Sequence, residues 1–67
     1  MRLIEFTAIS YDFKQSKIRL NPMAVTYLAA HPDHAAQTLV HLAGGNHVTV
    51  KGDMDSVCKT IDKVMGN

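Results

Sequence analysis

The sequence predicts an α+β fold that is mostly β, a small bent antiparallel sheet or open barrel of about five strands with one C-terminal helix. Short segments rich in β-branched and alternating residues recur along the chain and are separated by turn residues. A glycine-rich turn joins the last two segments, which is typical of a β-hairpin. The final stretch carries apolar residues at three- and four-residue spacing, which is typical of an amphipathic helix.

The first strand is predicted over residues 2–9, where β-branched and aromatic residues are frequent. Side chains alternate between the two faces of a strand, which gives two sets: Ile4, Phe6 and Ala8 on one face, and Leu3, Glu5, Thr7 and Ile9 on the other. Both sets contain large apolar side chains. We therefore expect the core to cover one face and a second subunit to cover the other.

The second strand is predicted over residues 17–20, where polar and apolar residues alternate and Lys17 and Arg19 face solvent. The segment 11–16 before it is polar with two aromatic residues, and is predicted to be a turn. The strand ends before Pro22, because proline cannot donate a hydrogen bond to a ladder.

The segment 23–30 fits either a third strand or a short helix. Its β-branched and aromatic residues favour a strand, in which Val25 and Tyr27 lie on one side and Thr26 and Leu28 on the other. Its alanines leave the helix open as the alternative.

The hairpin that follows has a register set by its apolar residues. A three-residue loop at 44–46 pairs Leu42 with Val48 and Val40 with Val50, and so keeps one face apolar. A loop of only two glycines would mix apolar and polar residues across the ladder. We therefore predict the three-residue loop.

The polar face of this hairpin is the candidate functional site. The predicted register makes His41 and His47 diagonal neighbours, roughly 7–8 Å apart, with Lys51 further along the same face. Lys17 and Arg19 join this patch if the second strand shares its face, which depends on a strand order that the sequence leaves open. Imidazolium and ammonium groups together could hold an anion. These five residues are the predicted ligand-binding residues.

No metal or other cofactor is predicted. His31 and His34 flank Pro32 in a turn, and ligands three residues apart share a face only on a helix. The pair formed by His41 and His47 supplies only two ligands, fewer than a usual zinc site. All four histidines are therefore interpreted without a metal.

The C-terminal helix is bounded by Asp53, a good N-cap, and by Gly66, a good C-terminal stop. Its apolar stripe is expected to cover one face of the sheet and consists of Met54, Val57, Cys58, Ile61, Val64 and Met65. Cys58 is therefore predicted to be a small buried core residue, which suits a reducing compartment.

Composition limits the class of protein. The 67 residues predict a single domain over 1–67, too short to bury a large core, and self-association would compensate. A net charge of +1 argues against nucleic-acid binding. There is no apolar run of about 18 residues to span a membrane, and the first residues do not resemble a signal peptide. We therefore predict a cytoplasmic protein.

The usual catalytic patterns are missing from the sequence. The two glycines of the hairpin lack the spacing of a phosphate-binding loop, and they join two strands instead of opening a helix. There is no serine elbow and no paired set of carboxylates. The sequence therefore predicts a protein that is not an enzyme.

A set of mostly core and turn residues spans nearly the whole chain and consists of Ile4, Thr7, Asn21, Thr38, Val40, Leu42, Gly45, Val48, Val50 and Lys51. In these residues the chain resembles the small FlbD proteins of flagellar operons and their prophage-encoded look-alikes. The chain departs from that pattern at 11–16, where the family has a short glycine turn, and at 52–53, where Glu-Ser is usual. The resemblance implies the fold, and it carries no catalytic residue over to this chain.

Two functions are expected from these observations. The first is a small regulatory or accessory module that forms a homo-oligomer and acts by protein–protein interaction. The alternative is an oligomer encoded by a phage or mobile element that binds or sequesters a small anionic, nucleotide-like ligand at subunit junctions.

Overall fold

The computed structural model describes residues 2–66. Its elements in chain order are strands β1 (Ile4–Ile9), β2 (Gln15–Leu20), β3 (Val25–Ala30), β4 (Gln37–Leu42) and β5 (His47–Lys51) and the helix α1 (Met54–Met65), with a single 3-10 turn at Pro22–Ala24. The strands form one open antiparallel sheet in the order β2-β1-β5-β4-β3. The predicted fold class, a five-stranded, mostly β structure with one C-terminal helix, is confirmed.

One face of the sheet forms the core. Its buried residues come from four strands and the helix, and are Ile4, Phe6, Leu20, Val40, Val50 and Val57. The alternation of side chains explains this set, because every second residue of each strand points to the same side. The helix α1 lies against β3, β4 and the 3-10 turn on this side. Within residues 2–66, no helix is long and apolar enough to cross a membrane.

The segment 23–30 forms a strand after one 3-10 turn, so the helical alternative is wrong. Its predicted faces are also wrong at one position, because the register shifts between Val25 and Tyr27. The extra residue is Thr26, whose hydroxyl donates to the carbonyl oxygen of His41 at 3.1 Å. This bulge turns Val25 to the same side as Leu28, and both pack against the core.

The β4–β5 turn lies one residue earlier than predicted. The N–H of Gly45 donates to the carbonyl oxygen of Leu42 at 3.3 Å, and the N–H of Leu42 donates to the carbonyl oxygen of Asn46 at 2.8 Å. Gly44 and Gly45 both have positive φ, at 97° and 89°, which glycine adopts without a steric penalty. Asn46 is thereby free to extend the ladder, and Val40 pairs with Val48 instead of Val50.

Moving the turn by one residue shifts the pairing between β4 and β5 by two residues. Both faces of the hairpin are preserved, because strand side chains alternate with a period of two. The predicted division into an apolar and a polar face therefore holds, although the predicted pairs are wrong. Strand β2 is also two residues longer than expected, since it begins at Gln15, and β1 is two residues shorter, since it begins at Ile4.

The helix begins and ends where predicted. A side-chain oxygen of Asp53 accepts the N–H of Ser56 at 2.9 Å, and Gly66 adopts a left-handed conformation with φ of 84°. Val57 is only 2 % exposed, and Ile61 and Val64 pack against the core as partly buried residues. Half of the predicted stripe therefore covers the sheet, whereas Met54 and Met65 at the two ends of the helix are exposed, so their predicted burial is wrong.

Cys58 departs from that stripe because it is exposed. Successive helical residues are rotated by about 100°, so the neighbour of buried Val57 lies on the flank of the helix. The sulfur of Cys58 lies 3.7 Å from a carboxylate oxygen of Asp62. The negative charge of Asp62 raises the pKa of the Cys58 thiol, which keeps it in its less reactive protonated form.

The Asp53 cap predicts a pH-dependent contribution to stability. Hydrogen bonds from the hydroxyl and backbone N–H of Ser56 hold the pKa of Asp53 below its ordinary value of 3.8. Because the folded-state pKa is the lower one, the stabilisation is complete above that ordinary value and is lost as the pH falls through the folded-state value. We expect Asp53→Asn to lower the melting temperature at pH 7, and the difference from the parent to shrink in strong acid. Thermal unfolding at both pH values measures the difference in melting temperature between the parent and the variant. The same difference at both pH values would contradict the role of the Asp53 carboxylate.

Candidate functional site

The side of the sheet away from the helix is uncovered within residues 2–66, and we refer to it as the open face. It consists of the side chains that alternate with the core residues: Glu5, Thr7 and Ile9 from β1; Gln15, Lys17 and Arg19 from β2; Tyr27 and Ala29 from β3; Gln37, Leu39 and His41 from β4; and His47, Thr49 and Lys51 from β5. All five predicted ligand-binding residues therefore lie on one face.

A row of three rings crosses this face at one end of the hairpin. Tyr27 stacks on His41 with ring centroids 4.1 Å apart and ring planes 9° from parallel. His41 is followed by His47 at a centroid distance of 5.3 Å. The two histidines are directly opposed, so the prediction of diagonal neighbours is wrong, because the turn lies one residue earlier. We refer to Tyr27, His41 and His47 as the aromatic row.

Two lysines lie together at the other end of the open face. The strand order places β2 beside β1 and β1 beside β5, which brings Lys17 and Lys51 around a depression of about 280 Å³. The Nζ atom of Lys17 lies 3.7 Å from a carboxylate oxygen of Glu5, and this exposed ion pair adds little stability. Arg19 lies beside this pair, directly across from Glu5. The strand order thus settles whether the second strand shares the face of the hairpin.

The predicted patch is divided into two clusters. His47 and Lys51 are four residues apart on β5, which separates them by about 13 Å along the strand. The histidines therefore belong to the aromatic row, and the lysines with Arg19 belong to the opposite end. A single small anion cannot contact both clusters at once.

A groove of about 570 Å³ lies between these clusters and the turns that border them. Val50 pairs with Ala8 on one side and with Thr38 on the other, so the end of β1 is level with the start of β4. Because β1 and β4 run in the same direction, this register alone does not bring the two turns together, but side chains of the β1–β2 turn and of the β3–β4 turn both line the groove. The residues that line the groove include Tyr11, Phe13, Ser16, His31, His34 and Gln37.

Rings from both turns meet at this groove. The ring of Phe13 meets that of His34 edge to face, with centroids 5.8 Å apart and planes at 88°. His31 lies 4.9 Å from His34 between ring centroids. The sequence predicts only ordinary turn residues at His31 and His34, and a turn at Phe13. The sequence offers no signal for their approach, because it brings together two separate turns that no local pattern connects.

The β1–β2 turn holds Phe13 in a left-handed conformation with φ of 66°. The N–H of Phe13 donates to Ser10 at 2.9 Å, and the N–H of Ser10 donates to Lys14 at 2.9 Å. The carboxylate of Asp12 accepts from the Ser10 hydroxyl, which lowers the pKa of Asp12. Within residues 2–66, Phe13 is the one non-glycine residue with a positive φ.

The β3–β4 turn fixes the tautomer of His31. Its Nδ1 accepts the backbone N–H of Asp33 at 3.1 Å, so the neutral ring carries its proton on Nε2. Nε2–H is then a donor available to a ligand. In the described part of the chain, no group of three or more His, Cys, Asp or Glu residues is arranged to hold a metal ion.

Comparison of the chain with protein-family models, with curated proteins and with solved structures finds no match. Exposed rings can stack on a planar partner, while lysine, arginine and imidazole groups can attract an anion.

Proposed function

We propose that this chain is a cytoplasmic, non-enzymatic regulatory or accessory module that forms a homo-oligomer and acts by protein–protein interaction. The observation that carries the proposal is the edge of the sheet formed by β3, whose sequence VTYLAA contains no charged residue. The other edge, β2, carries Lys17 and Arg19. Natural proteins use charged side chains to protect edge strands from pairing, so β2 is protected and β3 is not.

The backbone of β3 is available for pairing with another strand. The N–H of His31 donates to the carbonyl oxygen of Gln37 at 3.3 Å. This bond shows which residues of β3 direct their backbone N–H and C=O groups towards β4. Inward and outward groups alternate along an antiparallel strand, so the N–H and C=O groups of Leu28 and Ala30 point away from β4. These groups form an unpaired row on a strand of six residues.

A second copy of this chain is the occupant that fits this edge. Antiparallel pairing of β3 with β3 of another copy is self-complementary, as a twofold dimer requires. It extends the open face from one chain into the next and brings Tyr27, which is 58 % exposed, to the junction. A chain of this length buries only about 60 % of its unfolded surface, so association also supplies stability. The FlbD resemblance favours an accessory role for the assembly.

Light scattering of the parent and two matched variants tests the proposal. We expect the parent to have a multiple of 7.4 kDa at micromolar concentration. Ala30→Pro removes an outward N–H from β3 and is expected to shift the protein towards the monomer. Lys17→Pro makes the same change on β2 and is expected to leave the mass unchanged.

Circular dichroism shows whether each variant is folded. Ala29→Lys replaces Ala30→Pro if the proline variant does not fold, because it adds a charge beside the β3 edge without removing a backbone donor. A monomeric parent contradicts self-association. An oligomeric parent that both β3 variants leave intact contradicts the β3 interface.

The positive charge of the open face favours a second function, in which an oligomer of phage or mobile-element origin binds or sequesters a small anionic ligand, such as a nucleotide, at subunit junctions. Lys17, Lys51 and Arg19 lie at one end of this face, against a single carboxylate, Glu5. Partly concave, basic surfaces concentrate anions. Calorimetric titration with inorganic phosphate at low salt tests this function, which added salt should weaken.

A further inference from the structure

We propose that the groove between the β1–β2 and β3–β4 turns binds a planar aromatic ring that carries an anionic group, the chemistry of a nucleoside monophosphate. The ring would lie against Phe13 and His34, and the anionic group would reach Lys51. This inference rests on the anion binding of the second function above, and it places the ligand in a groove within one chain instead of at a subunit junction.

Phe13 combines an unfavourable backbone conformation with an exposed ring. A left-handed φ of 66° is unfavourable for a bulky residue, and glycine or asparagine fits such a position better. The side chain is 66 % exposed, so burial in the core does not offset the strain. Its ring instead meets His34 at the groove. Residues that a turn holds in such sparsely populated conformations are frequent at ligand sites.

The geometry of these rings leaves a surface for stacking. At an angle of 88°, the edge of one ring meets one face of the other, so this contact occupies one of the four ring faces. Tyr11, which also lines the groove, is almost fully exposed. An aromatic ligand can therefore bind by stacking, which is tolerant of the identity of the base.

The groove continues into the lysine depression. Ser16 lines both of them. Gln37, which lines the groove, is directly paired with Lys51, which lines the depression. Among residues 2–66, Lys51 has no ion pair, whereas Lys17 already contacts Glu5. Lys51 is thus the cation available to an anionic group on a ligand whose ring lies in the groove.

The size and polarity of the groove also fit such a ligand. Its volume of about 570 Å³ is within the roughly 300–1,000 Å³ of small-molecule sites. The Nε2–H of His31 and the amide of Gln37 supply directional hydrogen bonds to the heteroatoms of a base.

Calorimetry with three probes separates the two parts of the site. We expect adenosine 5′-monophosphate to bind more tightly than adenosine, which lacks the anion, and than inorganic phosphate, which lacks the ring. Phe13→Gly is expected to weaken the nucleotide by about tenfold, the loss expected for one stacking contact. The same variant should be as stable as the parent or more stable, because glycine adopts the positive φ without strain.

Lys51→Gln should weaken the nucleotide and phosphate but leave adenosine unchanged. Met23→Ala, an exposed change beside the helix, is the control and should alter no affinity. His34→Ala replaces Phe13→Gly if the latter does not fold. If the nucleotide binds no more tightly than phosphate, or if Phe13→Gly and His34→Ala bind it as the parent does, the groove is not the site. If the groove is not the site but phosphate still binds, the result supports anion binding by the open face. If no probe binds, both proposals are wrong.

Discussion

Replacing Phe6 with alanine is expected to lower the free energy of unfolding by about 3–5 kcal/mol. Phe6 lies in the middle of β1, pairs with Ile18 of β2 and is only 8 % exposed. The substitution removes the largest side chain of the core and leaves a cavity beneath the strand that connects β2 to β5. A domain with a total stability of about 5–15 kcal/mol tolerates such a loss poorly.

Urea denaturation measures this effect, with Phe6→Leu as the control. Leucine retains most of the apolar volume, and its effect should stay below about 1.5 kcal/mol. If the alanine variant unfolds at the same urea concentration as the leucine variant, Phe6 does not hold the core together.

Replacing Thr38 with valine is expected to destabilise the protein by about 1–3 kcal/mol, although the two side chains have nearly the same shape. The Thr38 hydroxyl is fully buried and donates to the carbonyl oxygen of Gly52 at 2.8 Å. This bond joins the start of β4 to the turn that precedes the helix. Valine would leave that carbonyl without its side-chain donor.

Thr49→Val is the matched control for Thr38→Val, because Thr49 is also a β-strand threonine but lies on the open face. Its effect on the urea midpoint should be small. Equal effects of the two substitutions would mean that the bond to Gly52 contributes nothing specific.

The fold was predictable because its signals are local. The spacing of Val57, Ile61 and Val64, the cap at Asp53 and the stop at Gly66 each depend on a few neighbouring residues. The faces of the hairpin were equally predictable, because a two-residue error in register leaves every side chain on its own side. Sequence patterns of this kind identify elements and faces well.

Register and strand order required the structure. Whether Asn46 lies within the loop or is bonded to Leu42 depends on the conformation of the two glycines, and the sequence GGN allows either. The bulge at Thr26 and the exposure of Cys58 likewise depend on tertiary packing. The groove was missed because it forms where two separate turns meet, and no local pattern predicts that Phe13 approaches His34.

Amide hydrogen exchange of the unmodified protein tests self-association through β3 most directly. Within residues 2–66, the outward amides of Leu28 and Ala30 have no partner, and neither do those of Lys17 and Arg19 on β2. If β3 pairs with a second copy, the amides of Leu28 and Ala30 exchange slowly at high protein concentration and faster on dilution, while those of Lys17 and Arg19 exchange rapidly throughout. Rapid exchange of Leu28 and Ala30 at every concentration would contradict the β3 interface.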